Sequence, residues 1–299
     1  MSSSSEPASV PGGVGRTALG VAVVRAQESA REDRLFDDPY AQAFVAAADR
    51  PPASPDPGSG APRPPEDREA RAAMARHIVL RTRFFDDYLL RAAADGIRQT
   101  VLLAAGLDTR AFRLDWPAGQ QVFELDLPES IAFKERVLAD LPDARPTARR
   151  AVVPADLNDD WTTPLTGAGF DPDRPTAWLI EGLLIYLGPE RSAALLNTVG
   201  RLSAPGSRLA LVRGGMRKTL AANRGADARA GRGASSLWRG GLGTDAADWL
   251  ENRGWAVRRF DRPELEVAYA AARPEIASAG TTFLIAERAP RTAAAPARR

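Results

Sequence analysis

The 299 residues contain no cysteine. That excludes disulfides, thiolate metal sites and a cysteine nucleophile together. A single histidine, His77, supports neither a His-rich metal site nor a Ser-His-Asp relay with any redundancy, and no metal is expected. Charge of one sign is not in excess. The 40 Lys and Arg face 38 Asp and Glu, and a net charge of +2 gives no electrostatic footprint for nucleic acid. No apolar run approaches the ~20 residues of a membrane span. Residues 1–15 are rich in Ser, Gly and Pro and lack the charged-then-apolar pattern of a secretory signal. These absences predict a cytoplasmic protein without a nucleic-acid or membrane partner, and they leave its oligomeric state open.

What is present is enough apolar residue, 44%, for one large α/β domain. The segment 17–48 has a helical pattern, with Asp38-Pro39 reading as a helix start. Residues 50–66 are packed with proline and glycine and predict a surface loop. A long helix is expected over 67–94, ended by Asp95-Gly96. Short apolar runs then alternate with helix-compatible segments: 100–104, 121–126, 151–153, 177–181 and 207–213. That alternation predicts a parallel sheet covered on both faces. Runs at 255–260 and 281–286, joined by a turn-rich stretch, suggest a hairpin that places an antiparallel strand at the end. The expected division is a tail (1–16), an N-terminal helical cap (17–96), a core (97–289) with a lid-like insertion (214–243), and a second tail (290–299).

In open α/β sheets a ligand binds beyond the carboxyl ends of the strands. Here the first strand runs into Ala104-Ala-Gly106-Leu-Asp-Thr-Arg110, a small-residue turn that allows close backbone approach. The second ends at Asp126, 20 residues after Gly106, where a carboxylate can accept ribose hydroxyls. Both features suit an adenosine-bearing cofactor, and both also suit an ordinary turn and an exposed acid. A dinucleotide wants three glycines to seat its pyrophosphate, and Ala104, Gly106 and Thr109 do not supply them. S-adenosyl-L-methionine carries no phosphate, so one glycine suffices.

Six stretches make the pattern specific: Arg25-Ala-Gln-Glu28 with Leu35-Phe-Asp-Asp-Pro-Tyr40; Arg81-Thr-Arg-Phe-Phe-Asp-Asp87; Gly106-Leu-Asp-Thr-Arg-Ala-Phe-Arg113; Phe123-Glu-Leu-Asp-Leu-Pro128; Asp156-Leu157; and Ile180-Glu-Gly-Leu-Leu-Ile-Tyr-Leu187. In this order they resemble the leucine carboxyl methyltransferase family, in particular its bacterial branch of S-adenosyl-L-methionine-dependent O-methyltransferases. The resemblance covers most of 17–187. It implies a class I methyltransferase (Rossmann-like) fold: a seven-stranded, mostly parallel sheet with an antiparallel last strand and an N-terminal helical cap. It also implies that Arg81 pairs with the cofactor's carboxylate, that Gly106 lines its amino-acid end, and that Asp126 holds the ribose. Asp156 and Leu157 would flank the adenine, unless Asp156 is a loop cap. Glu181, an acid inside an apolar run, would face the cofactor's ammonium group or the cleft. The family often has glycine where this chain has Ala104, which would tighten the pocket.

Methyl transfer requires an acceptor held in line, close and dry. A carboxylate acceptor is already ionised, whereas a hydroxyl usually needs a general base. His77, one helical turn before Arg81, is either that base or a packed residue. Tyr186 is either a substrate-positioning group or a core aromatic. Arg213 either binds an acidic substrate or pairs with a neighbouring acid. The expected activity is O-methylation of a carboxylate or hydroxyl of a small molecule such as a specialised metabolite. The alternatives are methylation of a peptide or protein C-terminal carboxylate, an NAD-dependent oxidoreductase, and a non-catalytic interaction protein that binds the cofactor.

Overall fold

Seven strands form one sheet: β1 (Gln99–Leu103), β2 (Gln121–Asp126), β3 (Arg149–Pro154), β4 (Thr176–Ile180), β5 (Arg208–Val212), β6 (Trp255–Phe260) and β7 (Phe283–Arg288). They belong to a computed structural model that describes residues 14–48, 65–212, 239–242, 245–269 and 283–289. The strand order is β3-β2-β1-β4-β5-β7-β6. Pairings from β3 through β5 are all parallel, whereas β7 runs antiparallel to both β5 and β6. The mostly parallel sheet with an antiparallel last strand is as the sequence predicts. All five residues of the central strands β1 and β4 are buried, because helices cover both faces.

Alternate residues of each strand feed two separate cores. Leu102 and Leu179 join the core built with α1 (Val14–Ser29), α2 (Ala41–Ala48), α3 (Pro65–Ala94) and α5 (Pro128–Ala139). Val101, Leu103 and Trp178 point the other way, towards α6 (Thr162–Gly167), α7 (Pro189–Arg201) and α8 (Ala246–Glu251). A four-residue helix, α4 (Arg110–Arg113), follows the β1 turn. The outer strands β3 and β6 carry Arg149, Arg150, Arg258 and Arg259, charges that oppose edge-to-edge pairing with another sheet.

Local expectations are corrected at four places. Asp38 does not start a helix at Pro39; α2 begins at Ala41. The Asp38 carboxylate is buried, accepts from the Tyr40 N–H at 3.2 Å in the turn before α2 and lies 3.4 Å from Arg25, so it closes that turn through one oxygen and joins a tertiary ion pair through the other. The stretch after Asp261 is not only turn-rich, since it holds helix α9 (Arg262–Tyr269), whose Tyr269 hydroxyl donates to Asp87 at 2.9 Å. Helix α1 also begins at Val14, inside the segment read as a tail, and α3 at Pro65, inside the segment read as a loop. The remainder of those two segments, most of the 214–243 insertion and the 290–299 tail lie outside the described residues.

Ala104 is, among the described residues, the one non-glycine with a positive φ, +54°. A β-carbon in the left-handed region costs roughly 1–2 kcal/mol, and glycine returns ~0.5–1 of that as entropy. Ala104→Gly is therefore expected to stabilise by about 0.5–1 kcal/mol and to raise the melting temperature by about 1–3 °C. A lower melting temperature would mean that the half-buried methyl group contributes more packing than the strain costs.

Candidate active site

β1 and β4 are adjacent, yet the chain leaves them towards opposite edges of the sheet. Their carboxyl ends therefore frame the cleft in which ligands of such sheets bind. Ala104 and Gly106 follow β1, Asp126 closes β2, Asp156 and Leu157 follow β3, and Glu181 follows β4. Arg81 and His77 reach the same end from α3. These residues lie towards one end of the sheet; Arg213 lies outside the described residues.

Asp126 is tied to the first turn. Its Oδ2 accepts the Gly106 N–H at 2.6 Å and its Oδ1 the Leu127 N–H at 2.7 Å. Burial pushes its carboxyl above the usual range, and donors from Gly106, Leu127 and Ser130 only partly offset this. A carboxylate has about four lone-pair sites, so three donors leave one open to a further donor. Gly106 itself has φ +52°, and a β-carbon there would meet that of Ala18 on α1 at 3.4 Å. Helix α1 therefore lies across the turn, and glycine satisfies both the torsion and the approach.

Arg81 and Glu181, 100 residues apart, meet through a 2.7 Å bond from Arg81 Nε to Glu181 Oε1. Glu181 Oε2 accepts from Arg110 Nη1, also at 2.7 Å. Burial pushes the Glu181 carboxyl up, but Arg110 and Arg81 outweigh it, and the net shift is downward. Glu181 is thus a fixed anion. With Nε committed, the guanidinium of Arg81 lies beside Gly182, where a β-carbon would stand 3.4 Å from Nη1. The two Nη groups of Arg81 have no hydrogen-bond partner among the described residues.

Behind this pair lies a set of residues to which the sequence reading gave no role. Arg110, 2% exposed, also donates from Nε to Asp86 at 2.7 Å and pairs with Asp108. Arg113 clamps Asp86 with both Nη groups at 2.7 Å. Three arginines face three carboxylates, so the buried cluster is neutral. The signal was in the sequence, as charges set among buried residues in the Arg81–Asp87 and Gly106–Arg113 stretches. Only the fold shows that the charges meet.

Asp156 Oδ1 accepts from the backbone N–H and side-chain amide of Asn158, at 2.8 and 2.7 Å. It closes a turn at the end of β3, with half-buried Leu157 beside it. His77 is buried and stacks on Phe283 with centroids 6.3 Å apart. Burial first, then the charge of Arg81, push its imidazole down to about 3. Tyr186 ends a 3-10 turn (Leu184–Tyr186) and is half-buried. Among the described residues no helix is long and apolar enough to cross a membrane, and no cluster of His, Cys, Asp and Glu suits a metal ion.

The sequence profile described as leucine carboxyl methyltransferase matches residues 18–200, more than half of the chain. The chain belongs to the leucine carboxyl methyltransferase family. A Frankia alni protein assigned as an S-adenosyl-L-methionine-dependent methyltransferase is 50% identical over 284 residues, 95% of this chain and 98% of the relative. A Parafrankia protein with the same assignment is 50% identical over 258 residues, 83% and 79% of the two chains. A solved Streptomyces avermitilis structure, described as a DUF574 family protein, shares the fold with a TM-score of 0.55, 17% identity and coverage of 87% and 98%. This leucine carboxyl methyltransferase family member is an S-adenosyl-L-methionine-dependent methyltransferase with the class I fold, which sets the NAD-dependent alternative aside.

The residues present fit that cofactor. The open acceptor site of Asp126 suits a hydroxyl, and the partner-free edge of Arg81 suits a carboxylate. The fixed anion Glu181 suits an ammonium group, and a turn without a glycine-rich phosphate cradle suits a nucleoside without phosphates.

Proposed function

We propose that this enzyme methylates an oxygen of a small molecule, a carboxylate in preference to a hydroxyl. The carrying observation is the setting of His77, which is buried, stacked on Phe283 and close to the charge of Arg81, surroundings that push its imidazole well below the ordinary value. A base that weak takes a proton from a hydroxyl with little driving force at pH 7. Glu181 is equally unsuited, because two arginines hold it as an anion and occupy both oxygens. An acceptor that arrives ionised needs neither. Helix α1 lies against the first turn, where Ala18 meets Gly106, and a cleft so covered would suit a small acceptor.

S-adenosyl-L-methionine supplies a methyl group on a positively charged sulfur, and its displacement by an acceptor oxygen needs alignment and exclusion of water. The chain's own part is binding and orientation. Asp126 would hold the ribose, Asp156 and Leu157 the adenine, and Arg81 and Glu181 the two charges of the amino-acid end. Ala104 and Gly106 would form the floor between them, and Tyr186, just beyond Glu181, would contact the acceptor.

The test uses methyl-labelled cofactor with matched acceptors bearing only a carboxylate or only a hydroxyl, and with short peptides bearing a free C-terminus. Label in small carboxylic acids, released as methanol by mild alkali, is the expected result and identifies an ester. Alkali-stable label in the hydroxyl series would overturn the carboxylate preference, and label confined to peptides would overturn the small-molecule reading.

A further inference from the structure

Arg110 touches none of the residues expected to meet the ribose or adenine, yet it carries the densest set of ion pairs in the described structure. Its Nη1 reaches both Glu181 and Asp108, and its Nε reaches Asp86. The Arg81–Glu181 pair at the cleft presents one positive and one negative group side by side, the complement of an amino-acid zwitterion. Such a pair has a built-in difficulty. When an incoming carboxylate draws on Arg81, Glu181 loses part of the cation that balances it, and a buried, uncompensated carboxylate is costly. Arg110 removes the difficulty, because it holds Glu181 from the side away from Arg81 through the other carboxylate oxygen.

We propose that Arg110 is a positioning residue for the cofactor's amino-acid end, fixing Glu181 as an anion so that Arg81 is free to engage the cofactor's carboxylate. The order of influence on Glu181 agrees, since Arg110 lowers its carboxyl more than Arg81 does. The pairing of Arg110 with Asp86, on the same helix as Arg81, ties α3 to the β1 turn and sets where Arg81 stands. The inference rests on the proposed placement of the amino-acid end at Arg81 and Glu181.

Calorimetry with two probes tests it without turnover. S-adenosylhomocysteine carries the amino-acid end, and 5′-methylthioadenosine lacks it. In Arg110→Lys, which keeps the charge but not the three-way fork, S-adenosylhomocysteine affinity is expected to fall roughly tenfold to a hundredfold, with 5′-methylthioadenosine affinity changed less than about twofold. Equal losses for both probes would reduce Arg110 to a structural role, and no loss would remove the role altogether. Asp108→Asn/Arg110→Gln, which deletes a matched pair of charges, is the second variant should the first not fold.

In the wild-type protein the affinity ratio of the two probes is expected to stay flat from about pH 5 to about pH 8, because Glu181 remains ionised. The groups facing Glu181 are Arg81, Arg110, Asp108 and His77. A ratio that collapses within that window would overturn the proposal even if neither variant folds. Arg81→Gln, measured alongside, separates the two layers. An unchanged ratio there refutes the placement at Arg81, whereas a fall there with none in the Arg110 variants refutes Arg110 alone.

Discussion

Replacing Asp126 with alanine should abolish measurable binding of S-adenosylhomocysteine, with affinity falling more than about 100-fold. Two losses combine. A ribose hydroxyl would donate a hydrogen bond to this carboxylate, a charged acceptor, contributing about 1.5–3 kcal/mol. The same carboxylate also accepts the Gly106 N–H at 2.6 Å, so its removal unties the turn that forms the floor of the cleft. Asp126→Asn separates the two effects. The amide oxygen can keep one acceptor for Gly106, so this variant should bind detectably but weakly. Calorimetric titration checks both variants, and a dissociation constant for Asp126→Ala within tenfold of wild type would remove Asp126 from the site. Because burial raises its carboxyl, cofactor binding should also weaken on acidification before ordinary surface carboxylates titrate.

The largest effect on stability is expected from the buried ion cluster. Asp86 is 4% exposed and balances both Arg110 and Arg113. Asp86→Ala leaves two buried guanidinium groups short of a partner and should destabilise by about 3–5 kcal/mol, a large share of a typical 5–15 kcal/mol total. Thermal unfolding should show a fall on the order of 10 °C. Acid should reach the same cluster in the wild-type protein. Burial pushes the Asp108 carboxyl up, but Arg110, Lys134 and Arg25 outweigh it and hold it down to about 2 against an ordinary value of 3.8. The native state therefore binds fewer protons here than the unfolded chain. The stabilisation, about 2 kcal/mol, is complete above the unfolded value and drains away as pH falls from about 4 towards 2. Urea melts at pH 7, 4 and 3 measure it, and stability unchanged across that range would count against the cluster as described.

A second buried group has the same logic on a smaller scale. Lys134, 1% exposed, pairs with Glu124 at 2.6 Å, and Arg150 reaches the same Glu124 oxygen at 2.7 Å. Glu124 stands two residues before Asp126, and Lys134 contributes to the field at both Asp126 and Asp108. The carboxylate of the proposed ribose site thus feels the charge of a buried cation that the sequence shows only as one lysine of a helix.

The sequence by itself determined the strands, their alternation with helices and the acids at their ends. Those features rest on local periodicity and on short motifs such as Phe123-Glu-Leu-Asp126, which keep their meaning wherever the chain places them. It also located the residues proposed for the site, because the carboxyl ends of parallel strands lie together in such a sheet. It did not show what those residues hold on to. Asp38 reads locally as a helix cap, but its second oxygen also meets Arg25 of α1 in a buried ion pair. The stretch after Asp261 reads as turns, but α9 forms there with Tyr269 bonded to α3. His77 reads as a candidate base, but burial and the charge of Arg81 lower its basicity. Arg110 reads as one arginine after a turn, but three carboxylates from three parts of the chain converge on it. In each case the deciding quantity is burial or the charge of a residue distant in sequence. Both are properties of the folded surroundings, and only the tertiary structure supplied them.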